Sequence, residues 1–303
     1  MPLTKYQYEI RKRLPLDLKI KMSLRRINEF VRQCRGKGLD ACVSFSGGLD
    51  STVLLHLCRT IFPEMKAVFS NTGLELPGIV ENVKRHKNVV IIRPETTFKK
   101  VVEEYGYPVI SKNIAMTIRY FHKGSNWAKY RFSDDFSWHN RYHRWEYLLE
   151  APFKISDQCC TLIKERPLDK YMKQNDLVPI MGLRADESQR RLDGYLQTGC
   201  NILTGRKIHS VPIAFWSRQD ILRYVKNNNL PIAKEYGEII EENGKMRCTK
   251  YQRTGCIFCM FGVQNEKSPN RFECLKEDYP QLYKYAMEKL RLDEVLNFIG
   301  VKH

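Results

Sequence analysis

Long apolar runs are missing from this 303-residue chain, and no stretch approaches the roughly 18–20 residues that a membrane-crossing helix needs. The opening residues carry charges with no apolar core behind them, so they do not read as a secretory leader, and a soluble, cytoplasmic protein without membrane contact is expected. Internal repeats and low-complexity linkers are absent, which leaves no solenoid and no disordered linker to account for. Acid is the scarce charge: 34 Asp and Glu face 51 Lys and Arg, a formal net charge of +17. Such an excess suits a polyanion, either nucleic acid or a phosphorylated small molecule, and also fits a merely solvated basic surface. Hydrophobic residues at 43% with charged residues at 28% are globular proportions, which excludes wholesale disorder and collagen-like repeats.

Cysteine, by contrast, is plentiful, with ten in the chain. For a chain of this length without an export signal, metal binding or catalysis is a better expectation than a disulfide scaffold. Cys42 and Cys58 stand in apolar strand-like and helix-like surroundings and are expected to be plain core thiols. The length itself suits one large domain with attachments, or two domains.

Residues 1–37 form a basic preface with 11 Lys and Arg against 3 acids. Ile20, Leu24, Ile27, Phe30 and Val31 recur at helical spacing and predict one amphipathic helix, ended by Gly36 and Gly38. Its basic face is either solvated or a contact for phosphates. From residue 38 the pattern changes. Apolar runs at 41–45, 66–69 and 88–92 predict strands, and the stretches 52–57 and 77–86 between them predict helices. That alternation is the signature of an α/β fold with a parallel sheet flanked by helices. Val178–Gly182 adds a later strand and Gln219–Lys226 a helix. We therefore expect an α/β domain over 38–230 and a cysteine-bearing helical region over 231–303. An insertion at 112–154 interleaves aromatics such as Tyr120, Trp127, Tyr130, Trp138 and Tyr142 with Arg119, Lys123, Arg131, Arg141 and Arg144. Stacking faces beside cations suit single-stranded or looped nucleic acid, and the same aromatics could instead fill a small core of their own.

The sharpest local signal is Ser46-Gly47-Gly48-Leu49-Asp50-Ser51-Thr52, which follows the first strand and opens a helix. Two glycines let backbone approach an anion, three hydroxyls can donate to it, and the helix start adds positive potential. Neither Walker A nor the Rossmann glycine pattern is present. The second signal is Cys159-Cys160 with Lys164 and Pro167 behind it, together with Cys256-Ile257-Phe258-Cys259. Four thiols could serve one soft metal centre. Zinc is one candidate, although adjacent cysteines fill two tetrahedral corners awkwardly, and an iron–sulfur cluster also takes four thiolates.

The loop at 46–52 resembles the PP-loop of the ATP pyrophosphatases, in the branch that includes phosphoadenosine phosphosulfate (PAPS) reductases. Ser70-Asn71-Thr72-Gly73 resembles that family's second nucleotide contact. Gly182-Leu183-Arg184 with Glu187, Ser188 and Arg190 resembles its G-x-R-x-x-E-S segment, and Ser210 to Trp216 followed by Asp220 and Tyr224 resembles a further family stretch. The paired cysteines resemble the cluster-binding pattern of assimilatory adenylylsulfate (APS) reductases. The resemblance implies a PP-loop α/β fold with an adenine nucleotide held by Ser46, Gly47, Gly48, Asp50, Ser51, Thr52, Asn71, Thr72, Gly182 and Arg184. Asp50 and Arg184 would be catalytic, and Cys159, Cys160, Cys256 and Cys259 would hold a 4Fe-4S cluster, with zinc as the alternative.

The sequence also departs from the reductases. Their nucleophilic Glu-Cys-Gly is missing from Asn297–His303, and the nearest match, Glu273-Cys274, lacks the glycine and is expected to be a buried structural thiol. Leu49 stands where PAPS reductases commonly have lysine, as in ATP-cleaving members. The expectation is an enzyme that uses ATP with Mg²⁺ to adenylate an acceptor on nucleic acid, followed by sulfur transfer from a donor protein. Two alternatives stay open: an APS or PAPS reductase drawing on an electron donor, and a non-catalytic nucleotide- or nucleic-acid-binding regulator.

Overall fold

The computed structural model describes residues 2–205 and 207–303. Its strands run, in chain order, β1 (Asp40–Ser44), β2 (Ala67–Ser70), β3 (Val89–Ile92), β4 (Val109–Ile110), β5 (Leu177–Met181), β6 (Asn201–Ile202), β7 (His209–Ser210), β8 (Ile239–Glu242), β9 (Lys245–Cys248) and β10 (Met260–Phe261). The chain forms two compact units. The first comprises Met1–Asn71, Glu75–Arg93 and Leu168–Thr254; the second comprises Thr72–Leu74, Pro94–Pro167 and Gly255–His303.

The first unit is built on a six-stranded sheet in the order β3-β2-β1-β5-β7-β6. All neighbours are parallel except β6 with β7. The expected strands at 41–45, 66–69, 88–92 and 178–182 appear as β1, β2, β3 and β5. Every residue of β2 and the centre of β1 are buried, as both-face coverage by helices requires. From β1 the chain moves one way to β2 and β3, while β5 pairs on β1's other side. That reversal opens a crevice at the carboxyl ends of β1 and β5, where open α/β sheets take their ligands. The two-residue strands β6 and β7 were not expected, because so short a pairing leaves no apolar run to read.

The basic preface is two helices, Lys5–Arg13 and Leu16–Arg35, where one was expected. Thr4 caps the first through a reciprocal box with Gln7. Pro15 separates them, since proline restricts the residue before it to extended backbone. Ile27, Phe30, Val31 and Cys34 bury the apolar face. Lys19 is also buried, and its ammonium donates to Asp220 Oδ2 at 2.6 Å and to the Lys12 carbonyl at 2.6 Å. Part of the basic face is thus consumed in holding the helix to the fold. The hydroxyl of Ser23 accepts from Trp216 Nε1 at 3.0 Å and donates to the Pro212 carbonyl at 2.9 Å. Cys42 and Cys58 are core thiols as expected, and burial pushes Cys42 up to about 12.

In the second unit β10 pairs in parallel with β4, and helices such as Phe98–Tyr105, Lys112–His122, Asn126–Arg131 and Arg271–Asp278 surround that pair. The aromatic segment divides by residue. Phe132 and Tyr142 are buried and meet edge-to-face at 5.6 Å, with Phe121 and Phe136 against them, so these rings form a local core. Trp127, Tyr130, Trp138 and Tyr147 are exposed. Among the described residues, no helix is long and apolar enough to cross a membrane.

Candidate functional site

β1 delivers the chain into the loop Phe45–Gly48, and the helix Leu49–Ile61 begins directly after it. Gly47 sits at φ +73°, where an L side chain is strained, and its carbonyl accepts from Asn82 Nδ2 at 3.1 Å. An added Cβ would lie 2.8 Å from Val83 Cγ2 and 2.9 Å from Ile79 Cγ2. The loop is cross-linked from within. The Ser51 hydroxyl accepts from the Ser46 amide at 3.2 Å, lies 3.0 Å from the Ser46 hydroxyl and donates to the Gly48 carbonyl at 2.9 Å. No side chain caps the helix at Gly48. Its opening amides therefore present the positive end of the helix dipole to whatever lies beyond the loop. Tyr236 trims this set by accepting from the Leu49 amide at 3.3 Å, with its own hydroxyl 2.6 Å from Thr254 Oγ1. The Thr52 hydroxyl is buried and has no hydrogen-bond partner among the described residues.

Gly182 and Arg184 follow β5 and reach the same loop. Gly182 is there for close approach: a Cβ would stand 3.0 Å from the Asp50 carbonyl carbon and oxygen and 3.1 Å from the Ser51 amide. Arg184, only 4% exposed, donates from Nε to Asp50 Oδ1 and from Nη1 to Asp186 Oδ1 at 2.5 Å; Nη2 lies 3.9 Å from Glu187. Arg218 Nη1 stands 3.8 Å from the other Asp50 oxygen, and Arg218 Nη2 donates to the Gln252 carbonyl at 2.9 Å. Arg191 pairs with Glu187, and the charge of Arg253 acts on it in turn. Burial, the largest cause, lowers the Arg191 pKa. Four arginines against Asp50, Asp186 and Glu187 leave a positive balance beside the loop.

The structure thus brings Ser46, Gly47, Gly48, Asp50, Ser51, Thr52, Gly182 and Arg184 together. Asn71 follows β2 in the same unit, its amide donating to the Ile92 carbonyl at 2.8 Å. Thr72 opens a short stretch of the second unit, where its hydroxyl accepts from the Leu74 amide at 3.2 Å. Sequence reasoning missed Arg218, Tyr236 and Asn82. Tyr236 reaches Leu49 across 187 positions, and no local pattern marks such a partner.

Cys159, Cys160, Cys256 and Cys259 all belong to the second unit. Cys160–Glu165 forms a wide π-type turn leading into the helix Arg166–Gln174, a local feature often found at functional sites. The Cys256–Cys259 loop closes on itself, with the Cys259 amide donating to the Cys256 carbonyl at 3.1 Å, and runs straight into β10. Arg271 Nη1 donates to the Cys259 carbonyl at 2.9 Å, and Phe258 stacks near Phe98. The thiols sense one another. A hydrogen bond to Cys160 is the main cause raising the Cys159 pKa, with burial next and the charges of Cys160, Cys259 and Cys256 adding. That same hydrogen bond lowers Cys160 to about 7, against opposing burial and with help from Lys112 and Lys164. Burial pushes Cys259 up to about 11.

Four thiols within electrostatic reach, flanked by cations that offset thiolate charge, are of the donor type that an iron–sulfur centre uses. Among the described residues, no three His, Cys, Asp or Glu side chains are grouped as a metal site. Cys248 belongs to the first unit and lies 3.7 Å from Arg218 Nη2. Cys274 is half-buried rather than buried as expected, because its helix, Arg271–Asp278, leaves that face partly open. Burial raises the Cys274 thiol pKa, and the charges of Asp278, Glu277, Glu273 and Glu266 raise it further.

A family model described as the phosphoadenosine phosphosulfate reductase domain matches residues 40–110 and 89–260. The chain is 24% identical over 281 residues to an uncharacterized protein of Methanocaldococcus jannaschii, covering 89% of this chain and 52% of that protein. It therefore spans about half the length of that relative. It is 22% identical over 226 residues to the adenosine 5′-phosphosulfate reductase of Staphylococcus epidermidis, covering 73% of this chain and 70% of the reductase. Among solved structures, the U34-tRNA thiolase of Methanococcus maripaludis with its 4Fe-4S cluster aligns at TM-score 0.42 and 13% identity, over 92% of this chain and 80% of the thiolase.

Proposed function

Because the chain belongs to the phosphoadenosine phosphosulfate reductase domain family, we propose that it is an enzyme that binds an adenine nucleotide at Ser46–Thr52 and splits MgATP to adenylate an acceptor oxygen on nucleic acid. The observation that carries the reading is the uncapped helix start at Gly48 beside the pair of buried Arg184 with half-buried Asp50. Loop amides and the hydroxyls of Ser46, Ser51 and Thr52 would cradle the triphosphate, with Asn71 and Thr72 toward the nucleoside. In the reaction the acceptor oxygen attacks the α-phosphorus, the α–β anhydride bond breaks and pyrophosphate leaves. The arginine cluster around Arg184 offsets the charge that develops on the leaving group. A sulfur nucleophile from a donor protein would then displace AMP from the adenylated position. Cys159, Cys160, Cys256 and Cys259 would hold a 4Fe-4S cluster, which when bound supplies sulfur-binding or electron-transfer chemistry.

The chemistry of Cys274 favours this reading over sulfonucleotide reduction. A reductase attacks with a thiolate, and burial first, with Asp278, Glu277, Glu273 and Glu266 adding, raises the Cys274 pKa and so disfavours that form.

The test is pyrophosphate release from ATP with RNA and DNA, beside sulfite release from APS and PAPS. ATP-dependent release that needs nucleic acid supports the proposal. Sulfite release abolished by Cys274→Ser overturns it in favour of the reductase, and nucleotide or nucleic-acid binding without turnover points to a regulator. Anaerobic purification should yield about four irons per chain, lost in Cys256→Ser. One zinc in their place would make the cysteine centre structural.

A further inference from the structure

A cavity of about 590 Å³ lies within the second unit, with Gln158, the chain neighbour of Cys159, in its lining. Its apolar wall is Phe153, Pro152 and Ile155, and its basic side is Arg119, His122, Lys123 and Lys154. Glu104, the acid in its lining, accepts a hydrogen bond from the Tyr105 hydroxyl. Arg119 is fixed by Asp157 at 2.8 Å, so it is a placed cation rather than a mobile one. His122, Lys123 and Lys154 are exposed. The Lys154 ammonium makes one contact, at 3.3 Å, with the Glu104 carbonyl, which leaves it N–H donors for a ligand.

The cavity continues into a ladder of rings and cations. The Arg119 guanidinium lies 4.4 Å over the Tyr120 ring, Tyr120 meets Trp127 at 5.3 Å, and Arg131 lies 4.9 Å over Trp127. Arg131 is braced from behind by hydrogen bonds to Asn113 Oδ1 at 3.2 Å and to the Tyr142 hydroxyl at 2.9 Å. Trp127 is 40% exposed. Residues 112–154 hold eight Lys and Arg against four Asp and Glu. A half-open ring between Tyr120 and Arg131, next to a basic pocket with an apolar wall, matches a nucleobase followed by a phosphate.

We infer that this cavity and ladder form a binding site for single-stranded nucleic acid, with one base entering against Phe153, the next stacking at Trp127, and the connecting phosphates on Lys123, Lys154 and His122. Aromatic faces accept any base, so the site grips strand rather than sequence. The inference rests on the proposed nucleic-acid acceptor and deepens it by giving the acceptor a docking surface in the second unit.

The test is fluorescence anisotropy of a labelled 12-nucleotide single strand against the full-length protein across a salt series. The double variant Lys123→Ala/Lys154→Ala should weaken binding about tenfold or more. It should also flatten the log–log salt slope by about 0.7 for each phosphate that is no longer neutralised. Trp127→Ala should weaken binding about tenfold, while Trp127→Phe, which keeps a stacking face, retains most of it. A control that removes the same charge elsewhere, Lys267→Ala/Lys289→Ala, should change little. Wild-type affinity in the Lys123/Lys154 variant, equal weakening in the control, or equal affinity for a duplex overturns the site. If strands still bind and still trigger pyrophosphate release in that case, the proposed function survives without it. Lack of any nucleic-acid binding by the wild-type protein removes both, whereas the loss of turnover alone with binding intact removes only the chemistry. Should Trp127→Ala fail to fold, the lysine pair, exposed and outside any core, still decides the matter.

Discussion

Arg184 illustrates how much of the site a single side chain can organise. Its guanidinium is buried and shared among Asp50, Asp186 and Glu187, all half-buried, so removing it leaves Asp50 to Arg218 and Glu187 to Arg191 and takes the cation from Asp186. Arg184→Ala should cost about 1–3 kcal/mol by urea unfolding. Arg184→Lys keeps the charge but loses the fork, and should fall between that variant and wild type. Arg218 is more exposed and holds only the outer oxygen of Asp50 at 3.8 Å, so Arg218→Ala should fold normally. Under the proposed function its effect falls on nucleotide binding, where a loss of about tenfold by calorimetry is expected from one removed cation near the proposed phosphate site. Equal unfolding curves with equal nucleotide affinity would show that Arg218 only braces Gln252. Ser46 to Thr52 were legible because glycine, hydroxyl and acid stand in one contiguous run. Arg218, Tyr236 and Thr254 were not, because each acts through a tertiary contact that no spacing encodes.

At the scale of elements, the junctions between strands and helices fix the loop more firmly than the loop's own sequence does. Gly182 ends β5 against the backbone of Asp50 and Ser51, and backbone cannot step aside as a side-chain tip can. Gly182→Ala should therefore cost about 1–3 kcal/mol in thermal or urea unfolding and weaken nucleotide binding with it. Gly47→Ala meets both a strained φ and two methyl groups, and should cost at least as much. Gly194 gives the contrast. It lies inside the helix Gln189–Thr198, with nothing within 4 Å of an added Cβ. Gly194→Ala should raise stability by about 0.5–1 kcal/mol through helix propensity alone. The strands β1, β2, β3 and β5 were readable because each is an apolar run bounded by polar turns. The break at Pro15 was readable in principle from proline's effect on its neighbour, yet the unbroken charge pattern across it concealed two helices as one. The Ser210 to Tyr224 stretch was recognised by resemblance, and its physical content came only with the fold: Trp216 is buried on Ser23, Asp220 holds Lys19, and the Tyr224 hydroxyl lies 2.8 Å from His56 Nδ1.

For the molecule as a whole, sequence order conceals the division into units, since each unit takes its residues from three separated stretches that alternate along the chain. The net charge of +17 is legible at once, but which cations remain available is not, because Lys19 and Arg184 are consumed internally. The response of the fold to acid is likewise a property of the whole. Two histidines of the first unit are pushed below their ordinary value near 6.5. Burial does this at His56, and at His86 burial outweighs the hydrogen bond to the Asn82 carbonyl, with Arg59 and Arg85 adding to the effect. Below that ordinary value the unfolded chain takes up protons that the folded chain refuses, so acid favours unfolding. Stability is fully present above about pH 6.5 and is lost as pH falls through the depressed folded values. The carboxylate Glu29, whose pKa is lowered mainly by Arg25, loses its contribution only below the ordinary 4.5, so the two windows separate. Urea midpoints measured between pH 8 and 5 should fall with acid in the wild-type chain. In the double variant His56→Gln/His86→Gln the midpoint at pH 8 should be lower, since neither imidazole ring is there to pack or to hydrogen-bond, and the decline toward pH 5 should be shallower. A decline as steep as that of the wild type would assign the acid response to other groups.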